Sequence, residues 1–562
     1  MRKNDITKKR FILIWVFLAF FIIGTILIFL VPIGIKSTYG KTIRTADGVT
    51  IVFNVFEPKN EDSNKKAIIL GHGVMSNKEM LKDYALEFAE AGFVAVAFDF
   101  RGHGQSSGDH RSGSLIYDIE AIVSYLNSRS DIDMNNLAYL GYSMGGIGLR
   151  LVNQSTAFKC FIGAGTMLSK NIRKGNSTSP LNILMLLGRY DELITPKDLK
   201  EALSDYTGVP TANLDVNKLY GSFQDGNATK IYLDDLTNHV LGNWDPDFIS
   251  EARNFLASAF PDVRPVDENF VVNTRFFILS LQLFGGFGFL VLIIPPLSKL
   301  FLTTEEDKGF KLELENGNLI NIGGKLFTFS LIFGLPGVMI FMPVLFISFL
   351  AIAGFITALL FGQAFGILIL LWRIGKKKGI RLIEIIRKPF NTSRENLIRQ
   401  FLLGILLAGI LTIIVYLSGG LNYIGMIPSL MKIPWLLLFL VINFIIFMIY
   451  GLFFHGILQI KFEHGFKSLI KGSLMIFGLL FIYWFVYLFV IAIVTGSFFY
   501  FGNFIPFSIP LFLLLAILST LTYQKTGNII PGAIINTLFF TLLICTISPY
   551  QSGLTFILGF LH

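Results

Sequence analysis

The chain has 562 residues, enough for more than one domain, and 53% of them are hydrophobic against 15% charged. That balance excludes an ordinary soluble protein over the whole length. The net charge of +9 does not point to nucleic acid: residues 2–10 carry +4 and residues 373–399 carry +7, and both segments flank apolar runs, where cytoplasmic basic residues of membrane proteins gather.

In chain order, the basic start leads into an unbroken apolar run, Phe11 to Ile33. It is long for a signal peptide and lacks a small-x-small cleavage site. About 20 apolar residues span a bilayer, so the run reads as a retained signal anchor with a cytoplasmic N-terminus. Residues 34–272 have the composition of a globular domain, and residues 273–562 that of a polytopic membrane domain. The predicted boundaries are therefore 1–33, 34–272 and 273–562.

Within 34–272, short apolar runs alternate with amphipathic segments. Strands are predicted at residues 67–71, 93–98, 136–140, 159–162, 183–187 and 230–233. Helices are predicted at 76–91, at 114–128 and from Pro246 onward. This alternation predicts an α/β fold: a mostly parallel sheet covered by helices on both faces. Beyond Arg275, eight spans are predicted near 276–301, 326–345, 347–372, 400–417, 433–458, 473–495, 507–523 and 528–548, making nine with the anchor. Loops 302–325, 373–399, 459–472 and 524–527 then fall inside. The outside loops 418–432 and 496–506 hold Lys432 as their one basic residue. Cys160 and Cys545 lie in different halves and read as buried free thiols, with no metal site and no cofactor implied.

The chemistry gathers around Gly141-Tyr142-Ser143-Met144-Gly145. G-x-S-x-G after a strand is a nucleophile elbow: small residues let the backbone turn sharply and push the serine hydroxyl out at the top of a sheet. A hydroxyl is a poor nucleophile alone. It needs a histidine to take its proton and a carboxylate to hold the imidazole in the useful tautomer. Asp191, at the end of an apolar strand, and His239, after a later one, follow in the order acid then base. Glu192 and Asp245 are alternative acids, and capping of the helix at Pro196 is the competing role for Asp191. The oxyanion hole is assigned to the N–H groups of Val74 and Met144. His72 and Gly73 shape the loop beside it. Arg101 and His103 brace a neighbouring loop, and His110 is expected at the surface.

Five motifs give residues 67–260 a resemblance to the serine-hydrolase branch of the α/β-hydrolase fold family, with its monoglyceride-lipase-like and aminopeptidase-like members. They are Gly71-His72-Gly73, the run Asp99–Gly108, Gly141–Gly146, Gly188-x-x-Asp191 with Pro196, and His239. The resemblance implies Ser143 as nucleophile, Asp191 as acid and His239 as base. The place where such proteins carry a cap is short and polar here, residues 165–181, so an open site is expected. An amphiphilic or lipid ester suits a site tethered to a bilayer, with membrane lipids as partners and no nucleic acid. Acyl transfer, amide cleavage by the same residues, and a non-catalytic binding or scaffold role stay open.

The membrane half has a second resemblance. Residues 449–459 look like the first motif of the CAAX-protease and bacteriocin-processing family, with Tyr450 and Gly451 at its paired glutamates and His455 at its arginine. Phe481 and Asn536 stand where the family has histidines. The resemblance implies that fold without the protease chemistry.

Overall fold

The computed structural model describes residues 3–59, 64–110, 112–169, 171–302, 312, 318–462 and 465–555. The chain enters through helix α1 (Lys3–Leu30) and then builds one nine-stranded sheet. Its strands are β1 (Ile35–Arg44), β2 (Thr50–Pro58), β3 (Lys65–Gly71), β4 (Val94–Phe98), β5 (Ile132–Tyr142), β6 (Phe158–Ala164), β7 (Asn182–Tyr190), β8 (Leu219–Tyr220) and β9 (Thr229–Asn238). Their spatial order is β1-β2-β4-β3-β5-β6-β7-β9-β8. The six from β4 to β9 in that order run parallel, and antiparallel strands close both edges.

The burial pattern explains why the apolar runs are continuous. Along β3, Ile68 and Leu70 pack on one face with α2 (Lys82–Ala91) and α6 (Pro246–Ala259). Ala67 and Ile69 pack on the other with α3 (Leu115–Asn127), α4 (Leu149–Gln154) and α5 (Pro196–Thr207). A strand covered on both sides has no solvent face to mark with polar residues. This is an α/β-hydrolase-like domain. One prediction is corrected: the helix placed at 76–91 begins at Lys82. Asp99 takes the Lys78 N–H and the Asn77 side chain takes the Glu79 N–H, so these groups are unavailable to a helix.

The second half is helical: α7 (Val272–Phe301), α8 (Leu319–Ile347), α9 (Ala351–Lys377), α10 (Leu382–Arg387), α11 (Arg394–Val415), α12 (Ile433–Phe453), α13 (Phe466–Thr495), α14 (Phe499–Thr526) and α15 (Ile530–Ile547). Among the described residues nine helices, α1 included, are long and apolar enough to cross a membrane, and each matches a predicted span. Pro336 and Pro343 lie inside α8, and Pro506 and Pro510 inside α14. Membrane helices tolerate such prolines because neighbours satisfy the freed carbonyls. Much of the predicted inside loop 302–325 lies outside the described residues.

The two halves meet along a polar seam. Arg275, fully buried near the start of α7, pairs with Asp83 of α2 at 2.7 Å. It also donates to the carbonyls of Ile28 and Val31 at the end of α1. Lys82 donates to Asn422 at 2.7 Å, in the wide turn Tyr416–Ile424 that ends α11. Asn77 donates to the Ile424 carbonyl, and Tyr550 and Gly102 bond through their backbones. The basic residues around α10 sit at the other ends of the spans, where Asn528 bonds the Pro389 carbonyl.

Removing one partner of a buried pair leaves an uncompensated charge, at a cost of about 3–5 kcal/mol. Arg275→Met is therefore expected to lower the melting temperature of the full-length protein in detergent by several degrees. Asp83→Leu combined with Arg275→Met should recover part of the loss. A single variant that melts with the wild type would refute the seam's importance.

Candidate active site

Ser143 follows directly on the end of β5. Its φ of 48° lies in the left-handed region that non-glycine residues avoid, the strain expected of a nucleophile elbow. The turn is tight enough that a β-carbon on Gly145 would come within 2.0 Å of the Gly71 carbonyl oxygen. Only glycine allows the elbow to sit against the end of β3.

The strand ends bring the other two residues to Ser143. β7 delivers Asp191 and β9 delivers His239, both at the C-terminal edge of the parallel sheet, where open α/β sheets place their ligands. His239 Nε2 is 2.9 Å from Ser143 Oγ, and His239 Nδ1 is 2.8 Å from Asp191 Oδ2. The side chains of His239 and Asp191 are almost completely buried. The second Asp191 oxygen accepts the N–H groups of Leu193 and Ile194, so the carboxylate is fully engaged. Tyr142 donates its hydroxyl to the His239 carbonyl at 2.6 Å and fixes the backbone that carries the imidazole.

The geometry also separates the alternative acids. Asp245 caps α6, accepting from Asp247 and Phe248. Thr195, not Asp191, caps α5, in a reciprocal arrangement with Asp198. Glu192 turns away from the imidazole ring and accepts the N–H of His239 and the side chain of Asn238. Burial pushes its carboxyl above the usual range.

Gly73 lies against Ser143: a β-carbon there would stand 3.1 Å from Ser143 Cβ. Val74 follows it, partly buried. Met144 is the second residue of the short turn Ser143–Gly148, where an N–H has no partner within the turn. The supporting residues hold the loops. His72 is buried; its Nδ1 meets the Gly73 carbonyl at 2.7 Å and its Nε2 accepts the Phe100 N–H at 3.0 Å. Arg101 pairs with Asp47 and Asp118, and Lys78 with Asp99 at 2.7 Å. His103 is buried with Nδ1 near the Arg101 carbonyl. His110, expected at the surface, is half-buried with its ring edge-on to His103 at 4.9 Å. Its backbone N–H donates to the Tyr550 carbonyl, which draws this loop in against the membrane half.

The open site expected from the sequence is not what forms. The Phe499 ring of α14 stands edge-on to His239 at 5.9 Å. A β-carbon on Gly502 would overlap the Glu192 carboxylate. The first turns of α14 therefore cover the site from the membrane side. No local motif marks Phe499, because one more phenylalanine in an apolar aromatic span carries no signal.

Comparison with known proteins finds similarity in this half. Residues 62–207 match the model of a family described as serine aminopeptidase, S33. The chain is 26% identical over 156 residues to the uncharacterized protein YfhR of Escherichia coli K12, covering 24% of this chain and 55% of that one. It is 33% identical over 96 residues to the uncharacterized protein YcjY of the same strain, covering 16% of this chain and 31% of that one. The chain thus spans about half the length, or less, of these curated relatives. Among solved structures, the Pyrococcus furiosus esterase Pf2001 aligns with a TM-score of 0.31 at 18% identity, covering 39% of this chain and 92% of that one. The esterase RhEst1 from Rhodococcus sp. ECU1013 aligns with a TM-score of 0.29 at 17% identity, covering 40% of this chain and all of that one.

The His72 bonds need a neutral ring, since the Phe100 N–H requires an unprotonated Nε2. Burial pulls the imidazole down to about 4 from 6.5. Because the folded value lies below the unfolded one, the stabilisation is complete above about pH 6.5 and is lost as pH falls through about 4. Melting temperatures of the wild type are expected to drop over that window. His72→Gln, which can both donate and accept, should show a shallower drop, and parallel curves would remove His72 from the account.

Proposed function

We propose that the protein is a membrane-bound serine hydrolase that cleaves an ester through an acyl-enzyme on Ser143. The observation that carries this reading is the continuous bonding from Ser143 Oγ to His239 Nε2, and from His239 Nδ1 to Asp191, at 2.9 and 2.8 Å. The match of residues 62–207 to a hydrolase family supports it.

In the proposed reaction Ser143 Oγ bonds to the ester carbonyl carbon as its proton passes to His239 Nε2. Asp191 stabilises the imidazolium, and the N–H groups of Val74 and Met144 receive the oxyanion. The carbon–oxygen bond to the alcohol breaks, and the alcohol leaves with the proton from His239. Water then attacks the acyl-enzyme, gives a proton to His239 and releases the acid, and Ser143 recovers its proton. An amine leaving group fits the same steps, and the aminopeptidase description of the matching family keeps peptide cleavage as the second reading.

The hydrolase half is assigned to the extracytoplasmic side. The basic residues of 373–399 sit at the ends of the spans away from it, and such residues mark the cytoplasmic side. For the membrane half a structural role is proposed. Tyr450, Gly451, His455 and Asn536, four of the positions matched to the protease motifs, line one cavity of about 20 Å³, while Phe481 lies outside its lining. Tyr450 is spent on the Leu360 carbonyl and Gln363, and His455 on Gln459 while stacked on Tyr523.

A fluorophosphonate probe is expected to label the wild type in membranes, and Ser143→Ala should abolish labelling. Asp191→Asn should lower ester turnover by about 10³–10⁴ through loss of the correct tautomer. Well-folded wild type that takes no label would overturn the assignment and favour a binding role.

A further inference from the structure

Among the described residues between β6 and β7, where a cap would be carried, there is no helix or strand. The only pairing among the described residues between β6 and β7 is a small bridge from Asn176 to Ser179. The space a cap would fill is taken by the ends of membrane spans. Phe499 of α14 faces His239, Gly502 abuts Glu192, and Trp244 meets Phe507 at 6.0 Å while donating to the Tyr423 carbonyl.

These elements do not close completely. Between them lies a cavity of about 420 Å³. Val74 and Met75 line it from the hydrolase half; Ile352 of α9, Thr495 of α13, and Phe499 and Tyr500 of α14 line it from the membrane half. Two of its walls are also walls of the active site. Val74 follows the glycine packed against Ser143, and Phe499 packs against His239. The volume falls within the range of about 300–1,000 Å³ typical of small-molecule sites.

A second observation concerns the rim. The loops after β6, β7 and β9 expose large apolar side chains within three residues of Gly165, Asp191 and His239: Met167 at 52%, Leu193 at 48% and Leu241 at 44%. The turn between α13 and α14 does the same with Val494 and Phe498. Exposed apolar groups clustered around a catalytic centre are costly in water and mark a contact surface. Here they stand around a site that the ends of two candidate spans also reach.

The geometry points to an ester of a membrane lipid as the substrate, with the lipid's hydrocarbon part seated in the cavity between the oxyanion loop and α9, α13 and α14. The lipid slides in from the leaflet beside α13 and α14, and the ester carbonyl stops at headgroup depth, next to Ser143. The chain then passes from bilayer to protein without crossing water, which is the step a soluble lipase must arrange with a mobile cap. The membrane half thus completes the acyl site of the hydrolase half. This inference rests on the assignment of Ser143 as nucleophile.

The test uses the full-length protein in lipid nanodiscs, with nitrophenyl esters of butanoic, dodecanoic and hexadecanoic acid as probes. The wild type is expected to prefer the dodecanoyl ester to the butanoyl ester in kcat/KM. Thr495→Phe, which fills the cavity, should lower that preference about tenfold or more, on the scale by which apolar pockets discriminate chain length. Tyr500→Ala, which enlarges it, should shift the optimum toward the hexadecanoyl ester. Opposite shifts from two variants cannot come from misfolding. If the wild type takes fluorophosphonate label and cleaves all three esters alike, with neither variant moving the profile, the lipid site is refuted and the hydrolase reading stands. If the wild type takes no label and cleaves none, the assignment of Ser143 fails and the lipid site with it.

Discussion

The arrangement of the two halves depends on one buried guanidinium. Arg275 sits where α7 leaves the hydrolase half and holds three other segments: Asp83 of α2, the last carbonyls of α1, and Asn422 in the wide turn after α11. A planar fork with five donors is the side chain suited to such a junction. The carbonyls at the end of α1 would otherwise have no partner, as at any helix end. The globular chain enters through α1 and leaves through α7, and these helices pack together, with Phe17 and Phe284 5.1 Å apart. A domain held by two adjacent spans could still swivel. The bonds from Arg275, Lys82 and Asn77 to α1 and the 416–424 turn remove that freedom, and so set the C-terminal edge of the parallel strands over α14.

The same edge shows how a polar site is kept rigid next to an apolar medium. Charged side chains in the loops around Ser143 have partners within the domain: Lys78 with Asp99, Arg101 with Asp118 and Asp47, Asp191 with two backbone N–H groups and His239. Buried groups left unpaired would cost more than the folded domain can supply. These networks show what the run Asp99–Gly108, one of the motifs of the resemblance, does in the fold: it braces a loop, as expected of Arg101 and His103. Asp99 receives the N–H groups of Lys78 and Gln105, and Ser106 receives that of Val52. Their task is to fix the loop that presents Val74.

What was legible in the sequence follows from this division. Ser143 lies in a turn whose glycines are dictated locally, and Asp191 and His239 each follow an apolar strand, so order and placement sufficed to find them. Order and placement favoured Asp191 over Glu192 and Asp245, but what separates the three carboxylates in space depends on which way each points once β7 and β9 are paired. The start of α2 was misplaced because residues 76–81 have helical spacing, and only the tertiary bonds to Asp99 pull the backbone away. β2 went unread although it is almost wholly buried, since a run of nine residues containing Asn54, Glu57 and Pro58 lacks a clean period. The spans were legible from hydropathy, but the first two turns of α14, cut off by the proline signal at 506, were not. Those turns hold Phe499, Tyr500 and Gly502, and their proximity to His239 and Glu192 arises from residues far apart in the chain.

Two of the cavities that touch the membrane half differ in size and in what lines them. The one lined by Tyr450, His455 and Asn536 is small, with room for about one water, and its hydroxyl and imidazole are already bonded to neighbouring carbonyl and amide groups. A site built for chemistry holds its reactive groups ready for a substrate, and these are occupied. The cavity at the junction is some twenty times larger and is walled in part by Val74 and Met75, next to Gly73 and Ser143. Membrane helices that merely anchored a hydrolase would need only α1 and α7. The seven further spans bring their ends to the sheet edge, and α14 meets it most closely, at His239 and Glu192.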